Sequence, residues 1–264
     1  MGLVVCFTII NDFYHADQSR KIVAFMMLAF AIIPGIAVAI GGILVQFINW
    51  QACFYFLLLY GLILIHAVIK LPETSLTKDH KALHGRYMLK NYLVTARNKY
   101  LIGYSIVFGL STSCGYVFGA QGPFIGIHTL HLSPGIYGIL GLLPYSGAIV
   151  GCIATIRTSH KVNAKRMVTF GIIFEVIAAL IMFFCFLFNF INLYTLLVPM
   201  IILLIGHAII SSNASSLAMS QVVDKANGSA IMNFTNMGSA VIMTIILGSI
   251  HTSVIWLMPA IFLC

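Results

Sequence analysis

Charged residues are scarce in this sequence. Of 264 residues, 14 are lysine or arginine and six are aspartate or glutamate, so the charged share is 8% and the hydrophobic share is 61%. In soluble domains, about a quarter of all residues are charged. Four stretches contain no Asp, Glu, Lys or Arg at all: 22–48, 100–156, 176–223 and 226–264. A membrane helix needs about 20 apolar residues, so this scarcity excludes a soluble domain and predicts a chain that crosses a bilayer repeatedly.

The motifs of common enzyme and cofactor sites are also lacking. The sequence has no His-Glu-x-x-His, no Gly-x-Ser-x-Gly and no phosphate-binding glycine loop, and its six cysteines lie singly in apolar stretches. That spacing is not typical of a metal site, and the basic residues are not interleaved with aromatic residues as in a nucleic-acid-binding surface. We therefore expect no enzyme activity, no catalytic residue, no cofactor or metal, no nucleic-acid partner and no ATP hydrolysis by this chain.

Short polar segments divide the apolar sequence into seven full membrane spans and two partial ones. The full spans are predicted at 21–46, 52–70, 99–121, 135–156, 167–188, 193–219 and 229–250, and the partial ones at 1–11 and 254–264. The apolar runs do not alternate with polar residues, as membrane strands would. The predicted fold class is an all-α polytopic membrane protein.

Every lysine and arginine lies in four of the connections between these spans: 11–21, 70–99, 157–166 and 223–228. The alternate connections, 48–50, 131–135, 189–192 and 251–253, hold none. Cytoplasmic loops carry the excess of Lys and Arg, so the basic connections are expected in the cytoplasm. The longest polar stretch, 71–98, separates residues 1–70 from residues 99–264.

Four stretches together resemble one transporter family. They are "IIPGIAVAIGGILVQFINWQACFYFL" (32–57), "LPET" (71–74), "YVFGAQGPFIGIHTLHLSPGIYGI" (116–139) and "SSNASSLAMSQVVDKANGSA" (211–230). In order and spacing they are similar to four regions of the Bcr/CflA-type drug-resistance transporters of the major facilitator superfamily. These regions are the fifth helix with its antiporter motif, the end of the sixth helix, the segment from the seventh helix to the start of the eighth, and the tenth helix with the loop after it.

The resemblance implies a major facilitator-type helical bundle that this chain covers from late helix four to early helix twelve, as if truncated at both ends. Residues 1–70 are then a remnant of the N-terminal half, 71–98 the cytoplasmic linker and 99–264 the C-terminal half. The implied function is secondary active transport, with proton-linked efflux of drugs or other small amphipathic compounds across the bacterial inner (plasma) membrane.

The sequence departs from the family pattern in several places. The helix that carries the expected coupling acid is missing, and Val38 and Gln51 replace a proline and an arginine of the fifth-helix region. Two other interpretations therefore remain open: a metabolite exporter on the same scaffold, and a non-transporting truncated fragment or accessory membrane subunit.

Glu175 is the one acidic residue inside a predicted full span. At 100° per residue, its helical face contains Val168, Gly171, Ala178, Ala179 and Met182, and the opposite face contains Phe170, Ile173, Ile177, Leu180, Phe184 and Phe188. Small residues line helix–helix contacts in membranes, so Glu175 is predicted to point into the protein. We expect it to be protonated, paired or hydrated, because an isolated charge is costly there. Three roles for Glu175 are open. It takes part in cation recognition or proton exchange, it is a neutral, hydrogen-bonded structural acid, or it is a functionless substitution in a degraded copy of the gene.

Other candidate residues for the substrate or proton pathway are His207, Asn213 and Asn236. His207 lies in the middle of a span and could pair with Glu175, since imidazole exchanges protons near neutral pH. The alternative is a neutral histidine bonded to a serine or a backbone carbonyl. For the two asparagines, the alternative is a hydrogen bond between helices.

Two further groups of candidates follow from the resemblance. Pro34, Gly35, Gly41 and Gly42 belong to the antiporter-like motif, where proline loosens the helix and glycine allows close backbone approach. Asp12 and Arg20 resemble the charged residues of a cytoplasmic gate, although a solvated pair of loop residues is an equal alternative.

Overall fold

The computed structural model describes residues 16–70, 92–158, 161–222, 224–249 and 256–263, and the side chains of 16–31, 225 and 226 are outside that description. The described ranges are helical and contain no β-strand. Within these ranges, six helical stretches are long and apolar enough to cross a membrane, and one of them, Pro134–Thr158, consists of two consecutive helices. A shorter apolar segment runs from Ile32 to Phe47. The predicted fold class is thereby confirmed.

Residues 1–70, called the first block below, contribute two helices in their described part. Helix α1 spans Ala16–Phe47 and contains Pro34, and helix α2 spans Gln51–Ile69. Between them, Asn49 Oδ1 accepts a hydrogen bond from the backbone N–H of Ala52 at 2.9 Å, which satisfies a donor at the start of α2. Nearly all of α2 is exposed; Ala52 is its one buried residue.

Residues 99–264, called the second block below, begin with α3, Lys99–Phe124, which continues into a π-helical turn, Ile125–Thr129. Asn98 caps α3, since its side chain accepts from the backbone N–H groups of two residues in the first turn. Helices α4, Pro134–Leu140, and α5, Leu143–Thr158, follow. The predicted span 135–156 is therefore two helices, with a break at Gly141 and Leu142.

The remaining helices are α6, Ala164–Leu187; α7, Leu193–Ser220; α8, Lys225–Ser249; and α9, Leu257–Phe262. Asn192 and Thr195 form a capping box at the start of α7, an arrangement that satisfies orphan backbone donors. These bounds agree with the predicted spans to within a few residues. The short α9 is the described part of the predicted partial span 254–264, whereas the predicted segment 1–11 lies outside the described residues.

Helix α7 is the central helix of the second block. It packs against α6, α5 and α3, and α3 in turn packs against α8. Their buried faces form the largest apolar cluster, which includes Ala178, Met182, Leu196, Met200 and Leu203. The outward surfaces carry bulky apolar side chains such as Phe170 and Phe184. A helical surface of this kind suits contact with lipid, because all backbone polar groups are satisfied within the helix.

Helix α1 packs against the second block through α4 and α5. Gly42 faces Pro134 and Gly138, and a β-carbon built on Gly42 would come within 3.0 Å of the Gly138 Cα. Glycine at both positions lets the two backbones approach closely, as in other small-residue helix contacts within membranes.

Gln46 extends the same interface toward the start of α4. Its Oε1 accepts hydrogen bonds from the backbone N–H of Gly135 at 2.7 Å and from the Ser133 hydroxyl at 3.1 Å. The first turn of a helix has backbone N–H groups without an intrahelical partner. Helix α1 thus supplies an acceptor for the first turn of α4.

Candidate functional site

Glu175 lies on the inward side of α6, as predicted. The predicted inward neighbours Val168, Gly171, Ala178, Ala179 and Met182 are all buried, and the predicted outward residues Phe170, Ile173, Ile177, Leu180, Phe184 and Phe188 are all exposed. The glutamate side chain is itself partly buried. The only acid in the described spans therefore projects toward neighbouring helices.

A pair of glycines brings α6 against α7 at this level. A β-carbon on Gly206 would lie 2.6 Å from the Gly171 carbonyl oxygen and 2.8 Å from the Glu175 Cγ. Real β-carbons do not approach other atoms so closely, so only glycine fits there. Gly206 thereby makes room for the glutamate side chain beside α7 and places the carboxylate next to the position of His207.

Ser111 of α3 joins these two candidate residues. Its hydroxyl donates a hydrogen bond to Glu175 Oε1, and its oxygen lies 2.9 Å from His207 Nδ1. The His207 ring also stacks on Phe108, with ring centroids 6.5 Å apart and planes 23° from parallel. Three helices thus contribute one side chain each to a polar cluster of Ser111, Glu175 and His207 inside an apolar bundle.

A cavity of about 180 Å³ borders this cluster. Its wall includes Ser111, Cys114, Glu175, Ile210, Met243 and Phe262. Drug-sized pockets measure about 300–1,000 Å³, so this cavity is too small to enclose a drug. It has room for several water molecules. The exposed side chains of Ile172 and Val176 lie at its α6 side.

The two candidate asparagines are not part of the cluster. The amide of Asn213 donates to the Ile209 carbonyl oxygen of its own helix at 2.9 Å. Asn236 is only 2% exposed, and its Oδ1 has no hydrogen-bond partner. It lies where α8 meets α3, with its Cα 3.1 Å from the place of a β-carbon on Gly109. A buried amide without a full set of partners is rare enough to need an explanation.

Two residues of the antiporter-like motif, Gly35 and Gly42, lie at the interface between the two blocks. Pro34 is inside α1, and a β-carbon on Gly35 would meet the Tyr145 ring at 2.9 Å. Gly42 faces α4, whereas a β-carbon on Gly41 would meet nothing within 4 Å. Asp12 lies outside the described residues. Arg20 is in the helical backbone of α1, but its side chain is outside the description.

Sequence reasoning missed Ser111 and Gln46. Ser111 is one of several hydroxyl residues in α3, and its partners are 64 and 96 residues away along the chain. A polar residue at mid-span was the available signal, since such residues often bond across helices. Among the described residues, no group of His, Cys, Asp and Glu is arranged to hold a metal ion.

The fold and this cluster define a multi-pass α-helical membrane protein with a polar site in its interior. The sequence profile of the Major Facilitator Superfamily matches residues 1–258. The chain belongs to the Major Facilitator Superfamily, a family of transporters.

Individual relatives agree with the family. The bicyclomycin resistance protein homolog of Haemophilus influenzae is 24% identical over 179 residues, which are 67% of this chain and 45% of that protein. Multidrug resistance protein D of Escherichia coli is 26% identical over 253 residues, 92% of this chain and 61% of that protein. An uncharacterized transporter of Rickettsia felis is 26% identical over 225 residues, 78% of this chain and 53% of that protein. The resemblance predicted from the four sequence stretches is confirmed, and the chain spans about half the length of the curated relatives it matches.

Proposed function

We propose that this protein is a secondary transporter that exports small amphipathic compounds, drugs among them, in exchange for protons. The observation that carries the proposal is the position of Glu175, which lines a cavity between the helices and accepts a hydrogen bond from Ser111. An ionisable group inside a membrane protein is costly to keep, and it commonly marks a substrate or proton pathway. The drug-resistance names of two relatives support the substrate class.

In this proposal, Glu175 and His207 carry the proton pathway, and Asn213 and Asn236 belong to the substrate path. The unpartnered Oδ1 of Asn236 supports a role for that residue, because a transient ligand would supply the missing donor. The cavity beside Glu175 is too small for a drug, which favours proton access for this site over drug binding.

The mechanical part of the proposal rests on the contact of α1 with α4. Residues 1–70 and 99–264 are the two moving parts, and 71–98 is the cytoplasmic linker between them. At Gly42 and Gly138 the backbones of α1 and α4 are in contact without intervening side chains. The two helices can therefore rock against each other at this point. The basic connections lie in the cytoplasm and the chain in the bacterial inner membrane, with Asp12 and Arg20 at a cytoplasmic gate.

The proposal is tested with the full chain reconstituted into liposomes. We expect a pH gradient to drive uptake of tetraphenylphosphonium, a compact amphipathic cation, into vesicles with an acidic lumen. Collapsing the gradient with nigericin should abolish the uptake. Glu175→Gln, which keeps the shape of the side chain and removes its charge, should abolish it as well.

Two outcomes contradict the proposal. Uptake that persists at equal inner and outer pH excludes proton linkage. If well-folded wild-type protein takes up neither tetraphenylphosphonium nor several other amphipathic cations, the result favours a non-transporting membrane subunit.

A further inference from the structure

The Ser111 hydroxyl is oriented differently from its neighbours on α3. Ser105, Thr112 and Ser113 each donate to a backbone carbonyl four residues earlier in the same helix, at 2.6, 2.9 and 2.7 Å. That back-bonding is the ordinary behaviour of a hydroxyl in a membrane helix. Ser111 instead contacts side chains of two other helices, those of Glu175 and His207.

The hydrogen-bond donors and acceptors of these three side chains allow two arrangements of protons. A hydroxyl has one proton to donate and can accept others. When Ser111 donates to an ionised Glu175, its oxygen accepts from Nδ1–H of His207. When Glu175 is protonated and donates to Ser111, the hydroxyl donates to an unprotonated His207 Nδ1. Each state forms both hydrogen bonds through Ser111 with the same atomic positions.

We propose that Ser111 relays protons between Glu175 and His207, so that the three side chains act as one protonation unit. The proposal rests on the proposed function, in which protons cross the protein by way of Glu175. Ser111 is a positioning and relay residue in this unit.

The transfer conserves atoms and charge. It begins with a carboxylate on Glu175, a neutral Ser111 and a protonated His207. The Nδ1–H bond of His207 breaks and its proton joins the Ser111 oxygen, while the original Ser111 O–H bond breaks and its proton joins Glu175 Oε1. It ends with a carboxylic acid, a neutral serine and a neutral imidazole that carries its proton on Nε2. The reverse step returns the proton to His207.

The surroundings give this relay two distinct ends. Glu175 and Ser111 line the cavity, whereas His207 is covered by the Phe108 ring and is not among the described residues that line it. Of the elements packed against Glu175, α3 brings Cys114 and α7 brings His207 as titratable groups, while the described α9 brings none. A proton that enters from the cavity therefore meets Glu175 first and reaches His207 through Ser111.

The experiment follows His207 directly after a rapid pH jump. Full-length protein in lipid nanodiscs is monitored by time-resolved infrared spectroscopy, and the imidazole bands are assigned by their loss in His207→Gln. We expect Ser111→Ala to slow protonation of His207 by about 100-fold or more, the lower end of the range for a lost acid–base group. Glu175→Gln should slow it similarly.

Two serine variants separate the hydroxyl from its packing. Ser111→Thr keeps a hydroxyl at the site and should restore the wild-type rate. Ser113→Ala removes a hydroxyl that is equally buried on the same helix and lines the same cavity, but bonds only within α3. It should leave the rate unchanged.

An unchanged rate in Ser111→Ala overturns the relay, since protons would then reach His207 by another route. A slow rate in both Ser111→Thr and Ser111→Ala, with normal Ser113→Ala, also overturns it and assigns Ser111 to packing. The measurement needs no transport. Absent uptake with an intact relay therefore contradicts only the proposed function, and uptake with no effect of Ser111→Ala contradicts only the relay.

Discussion

Gly171 of α6 and Gly206 of α7 lie backbone to backbone. A β-carbon on Gly171 would come within 2.9 Å of the Gly206 carbonyl oxygen, and one on Gly206 within 2.6 Å of the Gly171 carbonyl oxygen. This contact fixes the distance between the two helices that hold Glu175 and His207. The geometry of the polar cluster thus depends on two residues that have no side chain.

We expect Gly206→Ala to destabilise the protein by about 1–3 kcal/mol, because the added methyl group forces α6 and α7 apart. Unfolding in detergent by increasing denaturant measures this change. Gly238→Ala is the matched control: a β-carbon there would meet nothing within 4 Å, and alanine favours a helix by up to about 1 kcal/mol. Equal stability of the two variants would contradict the close contact.

The neighbouring glycines of the antiporter-like motif are expected to respond differently to alanine. Gly42→Ala should force α1 away from α4, at a cost of about 1–3 kcal/mol of overpacking. Backbone hydrogen exchange in Pro134–Leu140 should then be about fivefold to 150-fold faster. Gly41→Ala should leave exchange unchanged, because its β-carbon has open space. Hydrogen–deuterium exchange with mass spectrometry reports both. Equal effects would show that the α1–α4 contact is not formed as described.

Asn236→Leu should unfold at a denaturant concentration equal to or higher than that of wild type. The substitution removes a buried carbonyl oxygen that has no partner and replaces it with an apolar group of similar size, which costs little or stabilises. If Asn236 contacts substrate as proposed, uptake of tetraphenylphosphonium should fall in the same variant. Lower stability would mean that the amide makes an essential bond; unchanged uptake would remove Asn236 from the substrate path.

The orientation of the chain is tested with single cysteines in a cysteine-free background. Lys161 and Phe190 are both exposed and lie in connections of opposite predicted sides. In intact cells, a membrane-impermeant maleimide should label Phe190→Cys and not Lys161→Cys, because basic connections stay in the cytoplasm. Labelling of Lys161→Cys alone would reverse the proposed topology.

The helical type and the approximate bounds of the described spans could be predicted because charge-free runs of sufficient length have few alternatives in a membrane. The break between α4 and α5 was missed, since hydropathy continues across Gly141 and Leu142 and reports only that the residues are apolar. The π-helical turn after Phe124 was missed for the same reason. Backbone irregularities that keep the chain within the membrane leave no trace in a hydropathy pattern.

The orientation of Glu175 could be predicted from periodicity, because it depends only on residues of the same helix. Its partner Ser111 could not, since the pairing depends on which helices are neighbours in space. The sequence suggested a pairing of Glu175 with His207, and the two do meet, but through the serine of a third helix. Local patterns report faces of helices, and contacts between distant helices need three-dimensional structure.

Gln46 belongs to α1 but completes the first turn of α4. Helix α4 has seven residues, and isolated helices shorter than about 12–15 residues are marginal. In the proposed rocking of the two halves, withdrawal of α1 would remove an acceptor from the first turn of α4. Opening this side of the protein would then be coupled to fraying of α4, and the glutamine would set part of the free-energy difference between the closed and the open form.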